Sequence, residues 1–209
     1  MNNKLHIVLF SYNRAMQLDA TLSSIYRYIK GVEILTSVLY HHSPRHRKSY
    51  DNLIEEWSEK ESVVFHLRLE GRSFWKEVFP LFFKYYRNFP RYLRYRAARD
   101  RTYRFKSQFE DIVASSDAVF TMLNPDDTLF YRESEVPGEI LRLINDMPFD
   151  VSYRMYVGKN QEDCPKNLTN YKGMLKWDYA DPSMYRHWSY PFANDASIYS
   201  TNGLLHTMR

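Results

Sequence analysis

Residues 120–130 read FTMLNPDDTLF. The apolar run of Val119, Phe120, Met122 and Leu123 stops abruptly at Asn124, Pro125, Asp126 and Asp127. Short apolar runs ended by turn formers predict buried strands. Two adjacent carboxylates just past the carboxyl end of such a strand sit where open α/β sheets bind ligands. Oxygen-only ligands on a short turn suit a hard divalent ion, Mg2+ or Mn2+, that also holds a diphosphate. Asn, Pro and Asp are also what turns prefer, so the same segment serves equally well as a plain strand-to-helix link.

Working outward, residues 5–14 read LHIVLFSYNR. Leu5 to Phe10 form a second buried-strand pattern, broken by Ser11, Tyr12, Asn13 and Arg14. Leu18, Leu22, Ile25 and Ile29 then recur at the spacing of one helix face,. Asn13 is in position to cap that helix.

This strand–SYNR–helix opening, followed later by an N-x-D-D turn, resembles the GT-A glycosyltransferases of the family 2 type. Their pattern is a strand, P-x-Y-N-R or similar, and a later D-x-D-D. Ser11-Tyr12-Asn13-Arg14 matches the first motif without its proline, and Asn124-Pro125-Asp126-Asp127 matches the second with Asn for the first acid. VSYRMYVGKN at 151–160, LKWDY at 175–179 and WSYPFANDASIYST at 188–201 are similar to a subfamily. Its members carry S-L-R-x-G-x-N, a tryptophan-rich strand, and W-x-Y-P-x-x-x-D-G-x-I-[FY]-x-T. Asp195 falls on the subfamily's aspartate, and Ala196 stands where its glycine would be.

At 209 residues the chain is one domain with room for a substantial core,. Its single cysteine, Cys164, excludes an internal disulfide and fits a reducing compartment,. No signal-peptide pattern opens it, and no apolar run approaches the roughly 18 residues of a membrane span. The expectation is a cytoplasmic chain that does not span a membrane. No G-x-G-x-x-G or Walker pattern occurs, which argues against dinucleotide enzymes and P-loop NTPases,.

Strand patterns at 34–40 and 63–67 alternate with helix patterns at 50–57, from near Ser73, at 109–114 and at 135–147, the last opened by Pro137 in its first turn,. Such alternation predicts a mainly parallel, doubly wound α/β sheet flanked by helices. Strands near 151–157 and 174–179 predict a mixed extension, and the resemblance implies a nucleotide-binding half at 1–130 and an acceptor-side half at 131–209 of one GT-A-like domain. The loops Ser11–Arg14, His41–Arg47 and Asn124–Thr128 should gather at one end of the sheet. His41, His42 and His46 in that second loop read as solvated imidazoles ahead of a metal site.

Residues 84–106 hold nine Lys or Arg against one acid, Asp100, with seven Tyr or Phe interleaved. The net excess of the whole chain is only +4. A solvated helix face, an anionic membrane surface and a polyanion are all compatible with that mixture, and no nucleic-acid-binding motif accompanies it.

The resemblance implies a metal-dependent transferase that moves a sugar, with inversion, from a nucleotide sugar to a glycan or lipid-linked acceptor. It implies Ser11, Tyr12, Asn13, Arg14 and Asn124 at the nucleotide. Asp126 or Asp127 would hold Mn2+ or Mg2+, and Asp195 would be the base. Trp188 and Tyr190 either wall the sugar or acceptor pocket or belong to the core. Arg14 is alternatively an ordinary helix-start residue. Relatives commonly continue past the Asp195 motif, so a truncated or minimal form is expected. The rival readings are a non-catalytic nucleotide- or sugar-binding domain, and a peripheral membrane or polyanion module built on residues 84–106.

Overall fold

The computed structural model describes residues 3–60, 62–68, 90, 103–159, 161, 164–184, 186–190 and 192–208. The chain enters through β1 (Lys4–Tyr12), buried without interruption from Leu5 to Leu9. A strand with no exposed face needs helices on both sides of its sheet. The first is α1 (Ala15–Tyr28), whose Leu18, Leu22 and Ile25 are fully buried. Each such side chain contributes about 1.5–3 kcal/mol by leaving water. There follow β2 (Ile29–Lys30), β3 (Glu33–His41), a 3-10 turn at Pro44–His46, α2 (Arg47–Trp57) and β4 (Val63–Leu67). Then come α3 (Tyr103–Ala114), β5 (Phe120–Pro125), β6 (Ser134–Glu135), α4 (Gly138–Asp146), β7 (Tyr153–Arg154), β8 (Thr169–Tyr171), β9 (Met174–Lys176), a 3-10 turn at Arg186–Trp188, β10 (Ser197–Ser200) and α5 (Thr201–Met208).

Among the described residues, one sheet runs in the order β4-β3-β1-β5-β10-β7. Strands β4, β3, β1 and β5 are parallel. Strand β10 runs antiparallel between β5 and β7. Side-chain alternation along β1 divides the core: Leu5, Ile7 and Leu9 pack with α1, α2 and α4, while Val8 packs with α3 and α5,. The expected doubly wound architecture is therefore present. No helix among the described residues is long and apolar enough to cross a membrane.

Several local expectations change. Helix α4 starts at Gly138, so Pro137 is its N-cap and not a first-turn residue. Ser134 and Glu135 are drawn instead into a parallel pair with Ile29 and Lys30. The strand expected at 151–157 narrows to Tyr153–Arg154. The one expected at 174–179 narrows to Met174–Lys176 and forms a separate hairpin with β8. Lys172 (φ 51) and Gly173 (φ 86) form its two-residue turn, the backbone that right-twisted hairpins favour,. Strand β10 and helix α5 had no counterpart in the sequence reading. The helix expected from near Ser73 lies outside the described residues.

Helix α5 lies so close to the 147–150 turn that a Cβ on Gly203 would stand 1.9 Å from the Pro148 carbonyl oxygen. Exchanging glycine for alanine inside a helix ordinarily stabilises by about 1 kcal/mol. Here backbone overlap reverses the sign, and Gly203→Ala should destabilise by roughly 1–3 kcal/mol in denaturant unfolding.

His6, buried in β1, bonds Ser37 Oγ through Nε2 at 2.8 Å. Its Nδ1 has no partner among the described residues. Burial first, and the neighbouring His66 second, hold its pKa down at about 4 against an ordinary 6.5. The fold keeps His6 neutral while the unfolded chain takes up a proton. Stability is thus unaffected above pH 6.5, falls between pH 6.5 and about 4, and levels below,. The expected loss is on the order of 3 kcal/mol. His6→Gln should flatten that part of the pH profile of unfolding free energy.

Candidate functional site

The parallel order β3-β1-β5 brings the carboxyl ends of three strands together, and the register sets their residues side by side. Phe10 pairs with Pro125, and Tyr12 with His41. Ser11 therefore faces the first residue beyond β5, which is Asp126. Alternation turns Ser11 inward, buried, and leaves the next residue, Tyr12, exposed,.

Asp126 is an acid only 4% exposed. Its Oδ2 accepts the Ser11 hydroxyl proton at 2.7 Å. Ser11 Oγ and Tyr50 Oη lie 2.6 Å apart, and the Arg14 backbone N–H donates to Tyr50 Oη at 3.1 Å. Because Ser11 has one proton and gives it to Asp126, Tyr50 must donate to Ser11. The bonds then run in one direction, from Arg14 N–H through Tyr50 and Ser11 to the carboxylate. Thr21 also donates to the Asp126 carbonyl at 2.8 Å, so α1 grips the turn from its own side. A buried carboxylate needs such partners, since without them its desolvation costs several kcal/mol.

Arg14 Nη1 lies 2.8 Å from Asp127 Oδ2 and 3.5 Å from Asp126 Oδ1. The hydrogen bond to Asp127 and the charge of Asp126 raise the Arg14 pKa further. Both Arg14 and Asp127 are about half exposed. The Asp127 pair alone is therefore screened by water and weak. Asn13 is not the N-cap of α1; Arg14 occupies that position, and no side chain caps the helix. Asn13 sits in the left-handed region at φ 58, which asparagine tolerates better than most residues,. Its N–H donates to the His41 carbonyl at 3.2 Å, and its Oδ1 accepts the Ser43 N–H at 2.7 Å. Asn13 thus ties the first loop to the second.

A cavity of about 280 Å³ opens above these loops, with Ser11, Tyr12, Arg14, His41, Arg68 and Asp126 in its wall and Phe10, Leu39, Tyr40 and Phe105 supplying apolar surface. The Tyr12 and His41 rings stack in parallel at 5.4 Å. The Arg68 guanidinium, also in the wall, lies 5.6 Å from the Phe105 ring centre.

Asn124 is fully buried and does not line the cavity. Its Oδ1 accepts the Ala196 N–H at 3.1 Å, and its amide group donates to the Pro125 carbonyl at 3.1 Å. The residue in the first-acid position is thus a bracket for the 195–196 loop. Ala196 itself has φ 41, a conformation that costs a residue with a Cβ roughly 1–2 kcal/mol,. Asp195, half-buried, adds its charge to the surroundings of Tyr156 and Tyr199, whose hydroxyls burial shifts upward. Tyr199 Oη accepts the Ala193 N–H at 2.7 Å and donates to the Ala193 carbonyl at 2.8 Å, which fixes the approach to Asp195.

Trp188 is fully buried and meets Trp177 edge-on at 5.0 Å. It belongs to the interior, not to a pocket wall. Tyr190 is 55% exposed and remains available to a ligand. Its carbonyl accepts a bond from the buried Arg154. Tyr50, Thr21, Arg68 and Arg154 are site residues that the sequence reading missed. Tyr50 was visible only as one member of an apolar helix face.

The donors open to a divalent ion are the carboxylates of Asp126 and Asp127. Both contact Arg14, and Asp126 is also taken by Ser11. Among the described residues no group of three or more His, Cys, Asp or Glu gathers in one place, the 41–46 histidines included. Asn124 has turned its oxygen to Ala196. As they stand, these residues do not fit a metal, because a hard cation would first have to displace a guanidinium. Of the basic aromatic segment, residues 84–89 and 91–102 lie outside the described residues. Phe105 packs on Phe10 at 5.4 Å, and Lys106 pairs with Glu110 at 3.3 Å.

No family model matches this chain. The chain is 23% identical over 227 aligned positions to the "Bifunctional glycosyltransferase pgtA" of Dictyostelium discoideum, covering 97% of this chain and 24% of that protein. It therefore spans about a quarter of the length of the curated relative it matches. Among solved structures, apo mouse xyloside xylosyltransferase 1 is similar with a TM-score of 0.35 and 16% identity, over 71% of this chain and 51% of that one. The mostly parallel mixed sheet flanked by helices is a Rossmann-like α/β fold.

Tyr50→Phe keeps the buried ring, stacked on Tyr40 at 5.1 Å, and removes only the hydroxyl. The Arg14 N–H then loses its acceptor, and Ser11 loses a donor. Stability should fall by about 1–3 kcal/mol in denaturant unfolding, more than loss of one exposed hydrogen bond would cause.

Proposed function

We propose that this chain is a GT-A, family 2-like glycosyltransferase domain that moves a sugar from a nucleoside-diphosphate sugar to a hydroxyl of a glycan or lipid-linked acceptor. The observation that carries this reading is the hydrogen-bonded chain from Arg14 to Asp126, lying in the wall of a cavity at the carboxyl ends of parallel strands. That is where open α/β sheets take up ligands. The similarity to a protein described as a bifunctional glycosyltransferase supports the same reading.

In this reading the nucleotide lies in the cavity, its base against the exposed ring of Tyr12 and its diphosphate toward Arg14. Stacking on an aromatic face contributes about 1–3 kcal/mol per base. The acceptor approaches past Asp195 and Tyr190. Its hydroxyl oxygen attacks the anomeric carbon as the bond from that carbon to the phosphate oxygen breaks, and the electron pair leaves with the diphosphate. Asp195 takes the hydroxyl proton, and attack opposite the leaving group inverts the centre. Guanidinium groups aimed at the departing diphosphate stabilise charge that is greatest in the transition state.

The test begins with thermal stabilisation by UDP, GDP, CMP and dTDP, each with Mn2+ and with EDTA. At least one nucleotide should stabilise the protein. Asp195→Asn should keep that nucleotide's affinity and lower sugar transfer by about 10²–10⁴-fold, as removal of a general base does. Normal turnover in Asp195→Asn would remove it from the mechanism. Binding without any turnover in the wild type would leave a nucleotide-binding domain instead.

A further inference from the structure

We infer, resting on the nucleotide reading above, that Arg14 stands in the place of a divalent ion, and that Arg14 and Arg68 bind the donor's diphosphate without a metal. Arg14 is held at both ends. Its backbone N–H is bonded to Tyr50 and its carbonyl accepts the Leu18 N–H at 2.9 Å. Its Nη1 is anchored by the two acidic residues. The other guanidinium nitrogens, Nε and Nη2, have no acceptor among the described residues, and the side chain lines the cavity. A planar guanidinium fixed through one nitrogen presents its remaining donors as a fork, the geometry that phosphate oxygens accept.

Charge at the cavity wall favours the same ligand. Asp127 does not line the cavity, and Asp126 is buried with its charge spent on Ser11 and Arg14. Arg14 and Arg68 both line it. Arg68 is set at the end of β4 by a 2.7 Å bond from its N–H to the Tyr40 carbonyl. Helix α1 begins directly after Arg14 with no side-chain cap and no acid in its first turn, so its dipole favours an anion at this end,. Two guanidinium groups therefore stand in the cavity wall against one buried carboxylate. A divalent ion at Asp126 and Asp127 has to break the Arg14 contacts to enter, whereas a diphosphate adds to them.

The experiment is titration of UDP and GDP, with UMP and GMP alongside, into the wild type and Arg14→Gln, Arg14→Lys and Arg68→Gln, in EDTA and in Mn2+. The wild type should bind a diphosphate in EDTA, with affinity changed less than about threefold by Mn2+. Arg14→Gln should weaken the diphosphate by about 10–100-fold, the loss expected of a charged hydrogen-bond pair. It should leave the monophosphate nearly unchanged, which a general loss of structure would not do. Arg14→Lys keeps a cation if the glutamine variant fails to fold, and should fall between the two. Arg68→Gln should show a smaller loss in the same direction. Diphosphate affinity that disappears in EDTA and returns with Mn2+ in the wild type would overturn the inference, as would unchanged affinity in Arg14→Gln. No nucleotide binding under either condition would overturn the nucleotide reading, and this inference with it.

Discussion

The carboxylate of Asp126 is the constraint on which the site depends. A charge that is 4% exposed survives in a folded protein only when its oxygens are met by donors,. Here the donors come from three different elements: Ser11 at the end of β1, Tyr50 behind it from α2, and Arg14 at the start of α1. Satisfying one buried acid therefore fixes the positions of both helices relative to the two central strands. The same bonds leave the guanidinium of Arg14 at the cavity wall. Packing and chemistry are joined in one network, so neither is adjustable without the other.

A second set of contacts carries the rest of the chain to this centre. Asn124 lies two residues before Asp126, and its amide oxygen holds Ala196 N–H. The Ala196 carbonyl in turn accepts the Met155 N–H at 3.0 Å. Strand β10 is thereby pinned between β5 and β7, antiparallel to both, and Asp195 is brought beside the acidic turn. The left-handed Ala196 is tolerated because these bonds over-determine its backbone,. Helix α5 approaches the 147–150 turn so closely that only glycine fits at position 203.

The two sides of the proposed reaction are thus built differently. The donor side stands on parallel strands whose register is set by deeply buried apolar residues. The acceptor side is a set of loops between short strands, held by tyrosine hydroxyls and by Arg154, which lies 5.6 Å from the Trp177 ring centre. Such loops have fewer buried contacts, which suits a region that varies with the acceptor.

The sequence by itself determined the Rossmann-like half. Leu5 to Leu9 and Phe120 to Leu123 could be read as strands because burial on both faces demands unbroken apolar runs. Leu18, Leu22 and Ile25 could be read as a helix because its face recurs at a fixed spacing. The cluster of Ser11, Arg14, Asp126 and Asp127 followed, since strand ends in such sheets converge. Ser197–Ser200 carries little apolar signal, so its place between β5 and β7 was decided by pairing with distant strands. Asn13 and Asn124 kept their importance but changed roles, because a side-chain amide serves whichever backbone group the tertiary structure brings to it. Trp188 went inside for the same reason: aromatic character fits a pocket wall and a core equally well. Only the fold could supply Tyr50 to Ser11, from 39 residues along the chain. A hydrogen bond is specified by where two groups meet in space, and linear spacing carries no record of that.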